Sequence, residues 1–547
     1  MKLSVPALST RVLAEVELKP AKVRKWLEDL PLLNLAETAR KLFSNLTVYN
    51  RIEIDPRERL ELLESYRPTV QHVSVELQRQ FIGLPLPLSD KHKSIAEQAR
   101  QFQVELAFGY KRIVQQQATL LASTSASANG KPSAVELALP IQRAVRYLTC
   151  VHATSYQSYS PCPAGTWEEI HELYRHTEAL GVVDTTVEDA LNSSAPQSSV
   201  AHAYKQALLL DLANPYHLPA RMIESIHQYL DRYASLATLA PASTGFDPTC
   251  QFLIDLFGPS AGIANTGDTS LDDPARYRLL NTVELARAIH AQWTALQRGE
   301  TPSADGLAAD FFGKGAQDLL YRLVHAWGLH PRRGFRRTEG DGGTVDLAIG
   351  LDAVNYWLNG GKRFAVSASY VGPTPQRTTL GLHEPKHDNA PVADFEHSGW
   401  QLLDEGAGGQ ALIKKGLIKT RVRVGDIVAM RHANSGEPWE IGIIRWVRSA
   451  SSSHAEIGTQ RIAPQGEACL IKTMNEHGEE SDFLPAVLLP ELKALKVPPS
   501  LLTHRGVFKA DREIYMDNGL QLHRLVITDP VEVTSTYERF QFRIVER

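Results

Sequence analysis

At 547 residues the chain is long enough for about three domains, and 43% apolar with 22% charged content describes ordinary folded material. A net charge of −4 excludes a general positive field of the kind that coats nucleic acid, so any nucleotide site has to be local. The sequence contains no apolar run near the roughly 18 residues that span a bilayer and no signal-peptide core in residues 1–20, so the expectation is a cytoplasmic protein without membrane insertion.

Residues 1–310 read as an all-α helical array. Asp55-Pro56 supplies an N-cap and a first-turn proline, and Leu60, Leu63, Tyr66, Val70, Val73 and Leu77 then recur at helical steps; Pro68 is expected to kink or divide that helix. Ser89-Asp90 caps a second stripe of Ile95, Ala99, Phe102, Leu106, Tyr110 and Ile113. Helical patterning resumes over 135–156, and Thr166-Trp167-Glu168-Glu169 has the form of a capping box for a helix to about 180. Further helices are expected over 201–212, 218–236, 278–296 and 306–329, the last serving as a connecting helix at 311–330. Small and polar stretches near 121–134, 190–200 and 241–275 mark breaks, the third a long irregular connection. Helix pairs divided by such breaks bear a weak similarity to tetratricopeptide repeats, although no fixed 34-residue period is present.

Past residue 337 the period changes to that of strands, over 345–349, 363–370, 421–424, 426–430, 439–447, 455–462 and 468–473, with a short helix over 351–358. Alternation with short turns predicts an antiparallel barrel over 331–480, with a Pro/His/Asp-rich loop over 372–398. A short helix near 489–495 and strands over 505–516, 520–528 and 531–545 make 481–547 a β-rich extension. The fold class is therefore multidomain α+β, a helical array followed by a barrel with additional strands.

Four cysteines, Cys150, Cys162, Cys250 and Cys469, lie far apart without a CxxC pair and read as reduced thiols. His383-Glu384-Pro385-Lys386-His387 satisfies the HExxH pattern, but Pro385 breaks the helical turn on which both histidines would need one face, so no metal is expected. Gly406-Ala407-Gly408-Gly409 lacks the βαβ context of a dinucleotide loop. With no phosphate loop, GxSxG elbow or paired carboxylates, the chain is expected not to be an enzyme and to need no cofactor.

Two motifs remain. Pro331-Arg332-Arg333-Gly334-Phe335-Arg336-Arg337 sets four arginines in six residues, and guanidinium forks suit phosphate oxygens or the O6/N7 edge of guanine. Asp404-Glu405-Gly406-Ala407-Gly408-Gly409 joins a carboxylate, able to accept from a guanine N1/N2 edge, to glycines that admit a ligand close to the backbone. Together they resemble the PilZ domain family of cyclic di-GMP receptors. Arg332/Arg336 and Arg333/Arg337 both fit that family's RxxxR motif, and Asp404, Gly406 and Gly409 fit its (D/N)xSxxG motif with glycine in place of serine. Val424-Gly425-Asp426, Gly442 to Trp446 and Ile457-Gly458-x-Gln460 look like its later strands. The resemblance implies a non-enzymatic receptor, with residues near 351–398 an insertion at the barrel mouth because the two motifs lie farther apart than in a minimal PilZ domain. Arg332, Arg333, Arg336 and Arg337 would clamp the ligand's phosphates and guanine edges, while Asp404, Gly406 and Gly409 would shape the base pocket. The helical half would then signal to a protein partner, in surface motility or type IV pilus assembly by similarity to large PilZ receptors. The alternative is a ligand-independent scaffold with a degenerate barrel, which Gly406 favours.

Overall fold

The computed structural model describes residues 1–9, 16–123, 132–192, 194–242, 250–264, 273–304, 306–313, 315–328, 337–364, 366, 395, 397–474, 481–491, 496–534 and 536–545. The chain divides into two compact units, one of Met1–Leu84, Leu88–Arg332 and Ser449–Ser452, the other of Pro85–Pro87, Arg333–Arg448 and Ser453–Arg547.

The first unit is largely helical, with α1 (Pro20–Glu28), α2 (Leu35–Tyr49), α3 (Pro56–Gln78), α4 (Asp90–Ser123), α5 (Ala134–Gln157), α6 (Thr166–Leu180), α7 (Val200–Leu212) and α8 (Ala220–Tyr233). Asp55 caps α3 by accepting the Arg57 N–H at 2.9 Å. Pro68 does not divide this helix. Leu62, Leu63, Tyr66, Val70 and Val73 bury one face on both sides of it, and that burial outweighs the lost backbone bond. The capping box sits elsewhere than expected. Ser133 and Glu136 exchange it at α5, with Ser133 Oγ accepting the Glu136 N–H at 3.2 Å and Glu136 accepting the Ser133 N–H at 2.8 Å. Thr166 is already helical and donates to the Pro163 carbonyl, while Glu169 holds the buried Lys111 ammonium at 2.6 Å.

A two-strand ribbon, β1 (Val187–Glu188) paired with β2 (Gln197–Ser198), brackets the expected break near 190–200. The expected irregular connection contains a sheet instead. β3 (Thr238–Pro241), β4 (Gln251–Asp255), β5 (Ile263–Ala264) and β6 (Tyr277–Asn281) pair in the order β3-β6-β4-β5, because Phe252, Leu253 and Ile254 are buried along β4. Helices α9 (Val283–Gln297) and α10 (Ala316–Trp327) follow. The second is shorter than the expected 306–329, since Gly315 at φ +99° starts it in a left-handed conformation.

His152 on α5 is 2% exposed, packed beside Trp167 and Tyr156, and its Nε2 has no partner among the described residues. Burial alone pushes its pKa down to about 3 from 6.5. It stays neutral in the fold but takes a proton on unfolding below about pH 6.5, so stability is lost as pH falls through that value. Acidification to about pH 4.5 should remove about 2–3 kcal/mol at about 1.4 kcal/mol per pH unit. His152→Phe should flatten that part of the slope in urea unfolding run at both pH values.

The second unit holds two closed rings. β7 (Thr338–Glu339), β8 (Thr344–Ile349), helix α11 (Leu351–Leu358), β9 (Ser398–Gly406), β10 (Gly409–Lys415), β11 (Ile427–His432), β12 (Glu440–Ser451) and β13 (His454–Ala463) come first. Their order is β10-β13-β12-β11-β8-β9-β7, and β10 also pairs with β9, closing a six-stranded barrel with β7 as an added edge. The expected strand over 421–424 is not one, and 367–370 lies outside the described residues.

The second barrel comprises β14 (Glu467–Thr473), β15 (Leu484–Leu489), β16 (Ser500–His504), β17 (Glu513–Asp517), β18 (Leu522–Val533) and β19 (Tyr537–Ile544), closed in the order β14-β15-β16-β19-β18-β17. The strand expected over 468–473 as part of the first barrel opens this one, because Cys469 and Ile471 pack into its core with Ile514, Leu525 and Phe540. Of the helix expected near 489–495, Leu489 ends β15 and 492–495 lie outside the described residues. Helix α11 links the barrels: Leu351 and Val354 share one apolar cluster with Ile427, Ile441, Val487 and Leu502, and Asn355 Nδ2 donates to the Cys469 and Ala486 carbonyls, each at 2.8 Å.

Candidate functional site

The first barrel closes at the β9–β10 hairpin, where Gly406 and Gly409 are register partners and Ala407-Gly408 makes the turn. Gly409 sits at φ +150°, and a Cβ there would fall 2.0 Å from the Thr459 carbonyl oxygen. Only glycine lets β13 pass this close. One residue earlier on β13, a Cβ on Gly458 would collide with Trp446 Nε1 at 1.8 Å, so the indole lies directly over that backbone.

β7 brings Arg337, the last residue of the arginine segment, to this hairpin. Its pairing with β9 sets Thr338 opposite Glu405 and Glu339 opposite Asp404, and Gly340 N–H donates to the Leu403 carbonyl at 2.8 Å. Arg337, one residue before β7, therefore arrives beside Asp404, and its Nη1 donates to Asp404 Oδ1. The two side chains are 38% and 35% exposed, so the pair is wet and contributes at most about 1 kcal/mol. Such a pair can be exchanged for a ligand's donors and acceptors at small cost. Glu405, next to Asp404, lies 3.9 Å from His432 Nε2 on β11.

Of the sequence-predicted residues, Arg337, Asp404, Gly406 and Gly409 converge here. Arg332, Arg333 and Arg336 lie outside the described residues, as does the His383–His387 motif. Sequence reasoning missed Arg461. Its backbone N–H donates to the Gly408 carbonyl at 3.0 Å, its Nη1 to the Ala407 carbonyl at 3.5 Å, and its Nε to Glu440 Oε2 at 2.9 Å. It thus clamps the hairpin turn from β13. Its neighbour Gln460 accepts from Arg445 Nε at 2.6 Å, and Arg445 continues to Glu532 of the second barrel at 3.1 Å. The strand itself is visible in the alternation of 455–462; the partner it clamps is not.

Comparison with known families gives this geometry its context. Residues 269–390 and 369–467 match the family described as the cyclic-di-GMP receptor FimW, middle PilZ domain. The chain carries a PilZ domain. Around it, residues 21–243 match the N-terminal domain of the cyclic-di-GMP receptor FimW and residues 469–545 match the FimW C-terminal β-barrel domain. The third match begins within β14, where the ring closed by β14 and β17 also begins. Over 590 aligned residues the chain is 27% identical to the cyclic-di-GMP receptor FimW of Pseudomonas aeruginosa, covering 100% of this chain and 94% of that protein. No solved structure matches the chain. Among the described residues, no helix is long and apolar enough to cross a membrane.

Proposed function

We propose that the protein is a cyclic di-GMP receptor whose ligand binds at the mouth of the PilZ barrel, between the arginine segment and the Asp404–Gly409 hairpin. The observation that carries the reading is the β7–β9 register, which sets Arg337 against Asp404 across 67 residues of sequence. In this reading Arg332, Arg333, Arg336 and Arg337 bind phosphates and guanine edges, charges that the ligand's two phosphodiesters partly offset. Asp404 exchanges Arg337 for guanine N–H donors, while Gly406 and Gly409 shape the hairpin side of the base pocket. Partial neutralisation of the arginine charges is then the signal, passed through the helical unit to a protein partner. By resemblance to large PilZ receptors, the output is surface motility or type IV pilus assembly.

Titration calorimetry with cyclic di-GMP tests this. Arg332→Ala/Arg336→Ala and Arg333→Ala/Arg337→Ala are compared with wild type, and each lost charge-assisted hydrogen bond should cost about 1.5–3 kcal/mol. The pair with the larger loss is the operative RxxxR motif. Asp404→Asn, which keeps the shape but loses the carboxylate, should weaken binding by a similar amount. Absence of heat from the wild type at high micromolar ligand would leave the ligand-independent scaffold, the reading that Gly406 in place of serine favours.

A further inference from the structure

In the helical unit, α3, α5 and α8 line a partly open cavity of about 370 Å³ that the nucleotide reading does not use. Cys150 on α5 stands in its wall, half-buried, with Arg146 one turn before it and His227 and Asp231 of α8 in the same lining. Asp231 is fixed by three donors, Arg146 Nη1 at 3.2 Å, Asn192 Nδ2 at 2.8 Å and Gln206 Nε2 at 2.9 Å. One helical turn away, His227 Nδ1 lies 3.9 Å from Asp231 Oδ2, and the imidazole interacts with the Cys150 thiol. Burial opposes charge on His227, yet the Cys150 thiol and the Asp231 carboxylate prevail and push it up to about 9. Cys150 thus shares the cavity wall with the Arg146 guanidinium and the His227 imidazole, the second backed by a carboxylate held by three donors. Electropositive, partly exposed surroundings of this kind distinguish reactive cysteines from inert buried ones.

The other cysteines lack that setting. Burial pushes Cys162 up to about 11 and Cys469 up to about 12, and Cys250 Sγ donates to the Gly328 carbonyl at 3.1 Å.

We propose that Cys150 is a modification site, a nucleophilic thiol presented to this cavity by the His227–Asp231 pair and open to small electrophiles and low-molecular-weight disulfides. With a disulfide R–S–S–R, Cys150 Sγ attacks one sulfur and the S–S bond breaks. A new Sγ–S bond forms, and R–S⁻ leaves with the electron pair and takes up the thiol proton. Cys150 is oxidised and the departing sulfur is reduced. The adduct occupies the cavity, so the modification and any other occupant exclude each other.

Brief labelling of the full-length protein with iodoacetamide, followed by peptide mass spectrometry, tests this. Cys150 should alkylate on the order of tenfold faster than Cys162, Cys250 or Cys469. An aromatic disulfide should release one equivalent of coloured thiolate in the fast phase, which Cys150→Ser abolishes. In separate variants, His227→Gln and Asp231→Asn should slow Cys150 to the rate of Cys250, with near-UV circular dichroism verifying the fold. A wild-type Cys150 rate no faster than that of Cys250 overturns the proposal, a result that needs no variant to fold. So does an unchanged rate in a folded His227→Gln protein.

Discussion

Gly409→Ala is expected to destabilise the PilZ barrel by about 3 kcal/mol or more, because overpacking and a forced backbone conformation act at one atom. The φ of +150° is one that a side chain bearing a Cβ rarely adopts, and the added carbon would lie 2.0 Å from Thr459 O and 3.0 Å from Gln460 Cα. Relief by a small shift is blocked. Thr459 Oγ1 donates to the Gln410 carbonyl at 3.2 Å and accepts the Gln410 N–H at 3.4 Å, and both residues are buried. The strands β10 and β13 must therefore separate, opening the ring at the hairpin that presents Asp404. Urea unfolding followed by tryptophan fluorescence should show an early transition, with loss of whatever ligand binding the wild type has. A midpoint within error of wild type would mean that the two strands are not in this register.

That glycine also shows how far the sequence could be read. The Asp404–Gly409 motif was visible as an acidic residue followed by glycines, and the structure makes it a hairpin whose last glycine is dictated by the strand beside it. The neighbour itself could not be read, because alternation identifies a strand but not its pairing partner. The link that brings Arg337 to Asp404 runs through β7, whose two residues are too few to carry any period. Arg461 was hidden for the same reason, its role depending on where Ala407 and Gly408 end up. The boundary between the barrels was missed because β14 alternates as a strand of either ring would, and only the pairing of Ile471 with Leu484 and Met516 assigns it.

In the helical unit the long stripes were legible, since burial of one face every three to four residues is a strong signal over α3 and α4. Short strands were not. β3 to β6 span two to five residues each among prolines and glycines, and their order β3-β6-β4-β5 arises from contacts far apart in sequence. The capping boxes make the same point locally. Ser133-x-x-Glu136 and Thr166-x-x-Glu169 are the same pattern, but only the first is free to close, because Lys111 claims Glu169.

Asp189→Ala is expected to cost about 3–5 kcal/mol, the penalty for stranding buried cations. Asp189 follows β1 and is fully buried, with Arg67 Nη2 at 2.6 Å, Arg143 Nη1 at 3.2 Å and Arg146 Nε at 3.6 Å. Burial opposes its charge, but Arg146, Arg143 and Arg67 together hold its carboxyl below the ordinary carboxylate range. Arg67 and Arg143 are themselves 3% and 2% exposed, so water cannot take over when the carboxylate is removed. Glu64 also faces Arg67 and Arg143, accepting from Arg67 Nη1 at 2.6 Å and Arg143 Nε at 3.1 Å, and Asp231 accepts from Arg146 Nη1 at 3.2 Å, but two carboxylates cannot balance three guanidiniums. If stranded charge is the cause, removing a cation as well should restore stability. Arg67→Met combined with Asp189→Ala should therefore be less destabilised than the sum of the single variants, with a coupling of about 0.5–3 kcal/mol in a double-mutant cycle. Strict additivity would place the cost in lost packing around β1 instead, and a single-variant cost below about 1 kcal/mol, the range of exposed pairs, would mean that water reaches these arginines.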